Sequence, residues 1–316
     1  MEEVDKMSHR LRTCGAAAVL LLLLTLLSSC GQSAVQDETA TDYNQYIPSH
    51  GVTAYTKDLY IFFDSGRLFY VGRSQPSQLF PLCFQADCDH KNSSCTAWLN
   101  TPSRSIYAAG DNLYYIDADK DAKPALYRMD LSGGGRELVK SLKILNEESW
   151  PGISSLGYSF RVYGSYLAIE LNLLQEDSWQ HKIYLTGIDG KDEGVFLFGE
   201  EDDSDKSYIA IEFRENWLFV TEKSAADGTN TLWGYNFSTQ EAVPLVEGWD
   251  ISNCFTVQDG ILYWAVTGDG VYSMDMEKKS VTKHRSFDPV LEYGAAAYDD
   301  QYLYLTNAIR YMDSQG

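Results

Sequence analysis

Six copies of one turn-and-strand pattern, an apolar period of two within each copy, and a copy spacing typical of propeller blades predict an all-β chain. The expected architecture is a β-propeller of six four-stranded blades over residues 51–316. The copies are Ser65–Val71, Gly110–Ile116, Tyr163–Ile169, Arg214–Val220, Gln258–Trp264 and Asp299–Leu305. Their anchors, Gly66, Asp111, Gly164, Glu215, Asp259 and Asp300, lie 45, 53, 51, 44 and 41 residues apart. A four-stranded blade takes about 40–45 residues, whereas a two-sheet sandwich predicts no such self-similarity.

Each copy accounts for its blade in strand order. The anchor reads as a tight hairpin, because Gly, Asp and Asn accept the positive φ that such turns require. The apolar run after it is the second, buried strand. A third strand follows at Leu126–Asp130, Ile183–Gly187, Leu232–Asn236, Val271–Asp275 and Ile309–Asp313, where apolar and polar residues alternate into a turn. The outer strand comes next, as at Glu137–Val139. The sixth copy reaches Gly316 just past its third strand, so the strand-like segment Gly51–Thr56 is expected to supply its outer strand and close the ring. Further blades beyond Gly316 are the competing expectation.

Ahead of the repeats, Lys6, Arg10 and Arg12 precede an apolar run from Ala16 to Leu27 that ends in Leu27-Ser28-Ser29-Cys30. That order resembles the lipobox of bacterial lipoproteins, whose signal is cut before a cysteine that then carries lipid. The run is short beside the roughly 20 apolar residues of a membrane span. Residues 1–29 are therefore expected to be a signal peptide, and Cys30 the lipidated first residue of a protein held on the extracytoplasmic face of the cell membrane. Residues 30–50, rich in Gln, Ser, Thr, Asp and Ala, form a tether whose polar part has a random-coil reach of roughly 25 Å.

The chain carries a net charge of −20. The leader's basic and acidic residues cancel, so the excess belongs to the mature part, and such a surface repels phosphate backbones. Nucleic acid is excluded as a partner class on that ground.

The recurring D-x-L-Y-Y and L-Y-R-M-D-L-S-G-G elements, with the lipobox and the cysteines at 83–95, resemble the propeller lipoproteins of gut clostridia. The strand-and-turn signature is also similar to the repeats of the periplasmic TolB propeller. The clostridial resemblance implies architecture without a settled activity; the TolB resemblance implies protein binding, although this chain lacks an extra domain of the TolB kind.

Cys83, Cys88, His90 and Cys95 are the strongest local constellation. Three thiolates and an imidazole make a complete tetrahedral set for a structural zinc. Outside the cytoplasm thiols pair into disulfides, so a local disulfide is the alternative, with Cys254 too far along the repeat to join it. Either version pins the crossover from the first blade to the second, and a site with four protein ligands has no open position for catalysis. Asp117, Asp119 and Asp121 resemble the opening of a calcium loop, but Ala122 and Arg128 stand where Gly and Glu are needed, which makes a solvated turn the expectation. The acidic run Glu200–Asp205 is expected to be an exposed loop.

The chain contains no G-x-S-x-G, H-E-x-x-H, G-x-G-x-x-G or P-loop. Most aromatics fall in the repeated strands as core. Trp150 and Trp179 fall outside that pattern and are expected in longer connections with Glu147, Glu148, Glu176 and Asp177 nearby, as loop staples or as candidates for ligand binding. Two functions follow: a noncatalytic module binding protein, peptide or glycan at one mouth of the ring, or an extracytoplasmic carbohydrate hydrolase with carboxylates at the central channel.

Overall fold

Alternating apolar residues broken every few positions by Gly, Asp or Asn force the chain into short antiparallel strands. The computed structural model describes residues 53–307, apart from 57, 93, 100–105, 176–177, 190–193, 200–204, 249–254, 267–268, 287–292 and 299–302. The lipobox, the tether, Cys254 and Ile309–Asp313 lie outside the described residues, as does all but Asp205 of the acidic run.

The first sheet holds β1 (Thr53–Tyr55), β2 (Leu59–Asp64), β3 (Arg67–Gly72) and β4 (Gln75–Pro81). The second holds β5 (Ile106–Ala109), β6 (Asn112–Ala118), β7 (Pro124–Asp130) and β8 (Glu137–Ser141). The third holds β9 (Ile153–Tyr163), β10 (Tyr166–Gln175), β11 (Ser178–Gly187) and β12 (Val195–Phe198). The fourth runs through β13 (Lys206–Arg214), β14 (Trp217–Ser224), β15 (Asn230–Asn236) and β16 (Glu241–Glu247). The fifth runs through β17 (Phe255–Gln258), β18 (Ile261–Val266), β19 (Gly270–Asp275) and β20 (Ser280–Ser286). In the last, β21 (Tyr293–Tyr298) pairs with β22 (Leu303–Asn307). Helix among the described residues is limited to two single 3-10 turns, at Lys143–Leu145 and Glu147–Ser149.

Strands within each sheet are paired in chain order, and first strands adjoin: β1 beside β5, β5 beside β9, β9 beside β13, and β17 beside β21. That is the radial arrangement of a β-propeller. Its core is accordingly divided into layers between neighbouring blades. Ile61 and Leu68 pack with Ile106, Leu113 and Met129 between the first and second, and Leu126 packs with Phe160 and Leu167 between the second and third. Phe219 and Leu232 meet Leu262 and Trp264 between the fourth and fifth.

The N-terminal strand departs from expectation. Thr53–Tyr55 pairs with β2 in the register Thr53↔Phe62, so it is the first strand of the first blade rather than the outer strand of the last. The cause is local. Thr56 turns the chain straight back, its Oγ1 accepting the Leu59 N–H at 2.9 Å while its own N–H donates to the Leu59 carbonyl at 2.9 Å. The turn Ser65-Gly66 consequently joins second to third strand, whereas Gly164, Glu215 and Asp259 sit in turns that join first to second.

Candidate functional site

The cysteine cluster is an excursion from the first sheet whose two ends return to the same strand. After β4 the Leu82 N–H donates to the Leu68 carbonyl at 2.9 Å, and the chain then leaves the sheet. It comes back at Ala97–Leu99. There the Ala97 carbonyl accepts the Leu68 N–H at 2.8 Å, Leu99 N–H donates to Gly66 at 3.0 Å, and Trp98 bridges Arg67. Leu82, Cys95, Ala97 and Leu99 are buried in the layer between the first two blades.

Short turns fold the excursion inward. Cys88 N–H donates to the Gln85 carbonyl at 3.3 Å and Cys95 N–H to that of Asn92 at 3.0 Å. The Asn92 side chain accepts from Ser94 N–H at 3.0 Å. His90 takes a left-handed φ of 55°, a backbone cost of about 1–3 kcal/mol for a residue with a Cβ. Its carbonyl accepts from Arg67 Nη1 at 3.3 Å.

One donor atom from each of Cys83, Cys88, His90 and Cys95 lies within 4.8 Å of all the others. His90 Nδ1 is 3.4 Å from Cys95 Sγ, and the His90 N–H donates to Cys88 Sγ at 3.4 Å. Zinc bonds of about 2.3 Å to sulfur and 2.0–2.1 Å to nitrogen place tetrahedral ligands about 3.5–4 Å apart, so this donor set fits that ion with small adjustment. The three thiols are free, Cys95 buried and the other two half-buried. Burial pushes the Cys95 thiol up to about 12, partly opposed by the Ala97 backbone and reinforced by the sulfurs of Cys88 and Cys83. Burial also raises Cys83, but polar contacts from Thr96, Gln85 and Cys95 together outweigh it and hold that thiol at about 6. Sulfurs this crowded disfavour joint ionisation, a conflict that a divalent cation removes.

The second blade grips the excursion at both ends. Gly133, at a φ of 86°, lets the β7–β8 turn approach so closely that a Cβ there would stand 2.5 Å from the Leu82 carbonyl oxygen. Arg136 donates to the Trp98 carbonyl at 3.1 Å, pairs with Asp117, and lies 5.0 Å from the centre of the Tyr127 ring.

That pairing corrects the solvated-turn expectation for Asp117, whose side chain is 0% exposed. Asp119 does cap a turn, its Oδ1 accepting the N–H groups of Asp121 and Lys123. Trp150 is a staple: its Nε1 donates to the Ile144 carbonyl at 2.8 Å and its ring meets Phe196 edge-on at 6.0 Å. Trp179 is not in a connection but on β11, opposite Leu174, and is 49% exposed. It borders a recess of about 250 Å3 with His181, Lys206, Ser207, Lys223 and Ala225. Sequence reasoning missed the cationic members of this group; the only available signal was the two-residue spacing of Trp179 and His181, which places them on one strand face.

No protein-family profile matches the chain, and no curated protein matches it in sequence. Solved structures do resemble its shape. An oligogalacturonate lyase in complex with manganese aligns at a TM-score of 0.44 and 13% identity over 74% of this chain and 64% of that one. The oligogalacturonate lyase of Vibrio parahaemolyticus aligns at 0.44 and 10% identity over 73% and 63%. A TolB protein from Agrobacterium tumefaciens aligns at 0.41 and 12% identity over 74% and 79%. The chain thus spans less than two thirds of the length of either lyase.

Proposed function

We propose that the chain is a lipid-anchored, extracytoplasmic β-propeller that acts as a noncatalytic binding module, with a zinc ion fastening its first two blades. The observation that carries this reading is the Cys83, Cys88, His90 and Cys95 tetrad, four donor atoms within 4.8 Å in a loop held by both blades. Four protein ligands fill a tetrahedral ion and leave no position for substrate, which suits a structural role. Asp117 on the second strand β6 and Glu212 on the first strand β13 are engaged by Arg136 and by Arg214, the latter pair at 2.6 Å. The Cys30 lipobox supports the anchor, and the polar tether supports a domain held clear of the lipid surface.

The full chain purified anaerobically in detergent is expected to carry one zinc per molecule and to release it when the thiols are titrated with a mercurial. A metal-free protein with fewer than three titratable thiols in the folded domain would overturn the zinc and leave the disulfide. Cys30→Ser is expected to move the protein from the membrane to the soluble fraction and to abolish fatty-acid labelling.

A further inference from the structure

The recess beside Trp179 differs in charge from the chain that contains it. The protein bears −20 overall, yet the described lining consists of an indole, an imidazole, two lysines, Ser207 and Ala225, with no carboxylate among them. Its walls are strand ends. Trp179 and His181 project from one face of β11, Lys206 and Ser207 open β13, and Lys223 closes β14 opposite Ser207. Lys206 is 3.3 Å from Glu222, so its charge is shared, whereas Lys223 is exposed and has no ion pair among the described residues. His181 backs the recess with its Nδ1 buried, and burial holds the ring's pKa below its ordinary value.

We propose that this recess binds a carboxylated sugar residue, a uronate unit of an acidic glycan, stacked on Trp179 and ion-paired with Lys223. The inference rests on the binding-module reading and names the ligand class of that module. The two exposed groups each have a matching feature on such a ligand. The exposed indole offers a flat apolar face to the C–H face of a pyranose, and the ammonium of Lys223 pairs with the carboxylate. At 250 Å3 the recess is smaller than the ~300–1,000 Å3 of complete ligand pockets, so it takes one ring of a longer chain rather than a folded peptide segment.

The test uses the full chain in detergent and two trisaccharides that differ only at C6: cellotriose and its fully oxidised counterpart, β-1,4-linked triglucuronate. Calorimetry is expected to show triglucuronate binding at least about tenfold more tightly than cellotriose, with an affinity that falls as salt is raised. Trp179→Ala and Lys223→Glu are each expected to weaken it by about tenfold without moving the melting temperature, since both side chains are exposed. Equal affinity for the two trisaccharides, no binding at millimolar concentration, or unchanged binding by both variants overturns the proposal. Tighter binding of hexaglutamate overturns it as well and makes the recess an acidic-peptide site. Mass spectrometry of the recovered sugar and the zinc content of the same sample report separately on the parent reading: shortened oligosaccharide defeats the noncatalytic role while leaving the site in place.

Discussion

The carboxylate of Glu215 accepts the backbone N–H of Gly260, at 3.1 Å to one oxygen and 3.0 Å to the other. Both residues occupy first-to-second-strand turns, one in the fourth blade and one in the fifth, so a side chain in one copy of the repeat caps the same turn of the next. Glu215 achieves this from a left-handed φ of 50°. Glu215→Ala keeps that strain and loses the charged hydrogen bond, and should cost about 1–2 kcal/mol in urea unfolding. Glu215→Gly loses the bond but relieves the backbone, and should cost about 1 kcal/mol less than the alanine variant. Equal losses would show that the turn is unstrained.

Arg136 is expected to matter more. It neutralises the fully buried Asp117 and fastens Trp98 at the root of the cysteine excursion. Arg136→Met strands a buried carboxylate and should destabilise the chain by about 3–5 kcal/mol. Adding Asp117→Asn should recover most of that loss in thermal or urea unfolding, whereas loss of packing alone would leave the double variant as unstable as the single one.

Gly133→Ala probes the grip from the other side. A Cβ at 2.5 Å from the Leu82 oxygen, on a residue at φ of 86°, forces the β7–β8 turn away from Cys83. The expected cost exceeds ~2 kcal/mol. Zinc release to a colorimetric chelator should be faster than in the parent protein; an unchanged release rate would separate the turn from the metal loop.

Glu170 gives the pH dependence a sign. Burial raises its pKa above the ordinary 4.5, opposed by Arg161 and by hydrogen bonds from Asn172 and Ser159. In the window above 4.5 the folded carboxyl keeps a proton that the unfolded chain has released, so its contribution to stability is present below that window and is lost as pH rises through the folded value. Glu170→Gln should therefore gain stability relative to the parent protein as pH rises from 4 toward neutrality. Parallel stability curves would show that the group is solvated.

Much of this was readable from local patterns. Leu113, Leu167, Leu218 and Leu262 announce buried second strands because alternation and turn residues act over a few positions, and those four are fully buried. The cysteines of 83–95 assemble as their spacing implied. The first copy was misread by one strand, since nothing before Gly51 shows that Thr56 bends the chain back onto β2. Trp179 reads as a loop residue from its acidic neighbours in sequence, whereas β10 and β11 pair up to Gln175 and Ser178 and set Trp179 opposite Leu174. Asp117 looked solvated because its partner Arg136 lies on the far side of a hairpin.

By itself the amino-acid order determined the repeat, the blade length and the donor set of Cys83, Cys88, His90 and Cys95, all of which depend on residues near one another along the chain. The tertiary structure alone decided where the first strand pairs, that Arg136 and Gly133 of the second blade hold the cysteine loop, and that Lys206 and Lys223 stand beside Trp179. The first strand is paired within its own blade by the Thr56 turn, whereas the other contacts join different blades and are set by how sheets pack rather than by any local pattern.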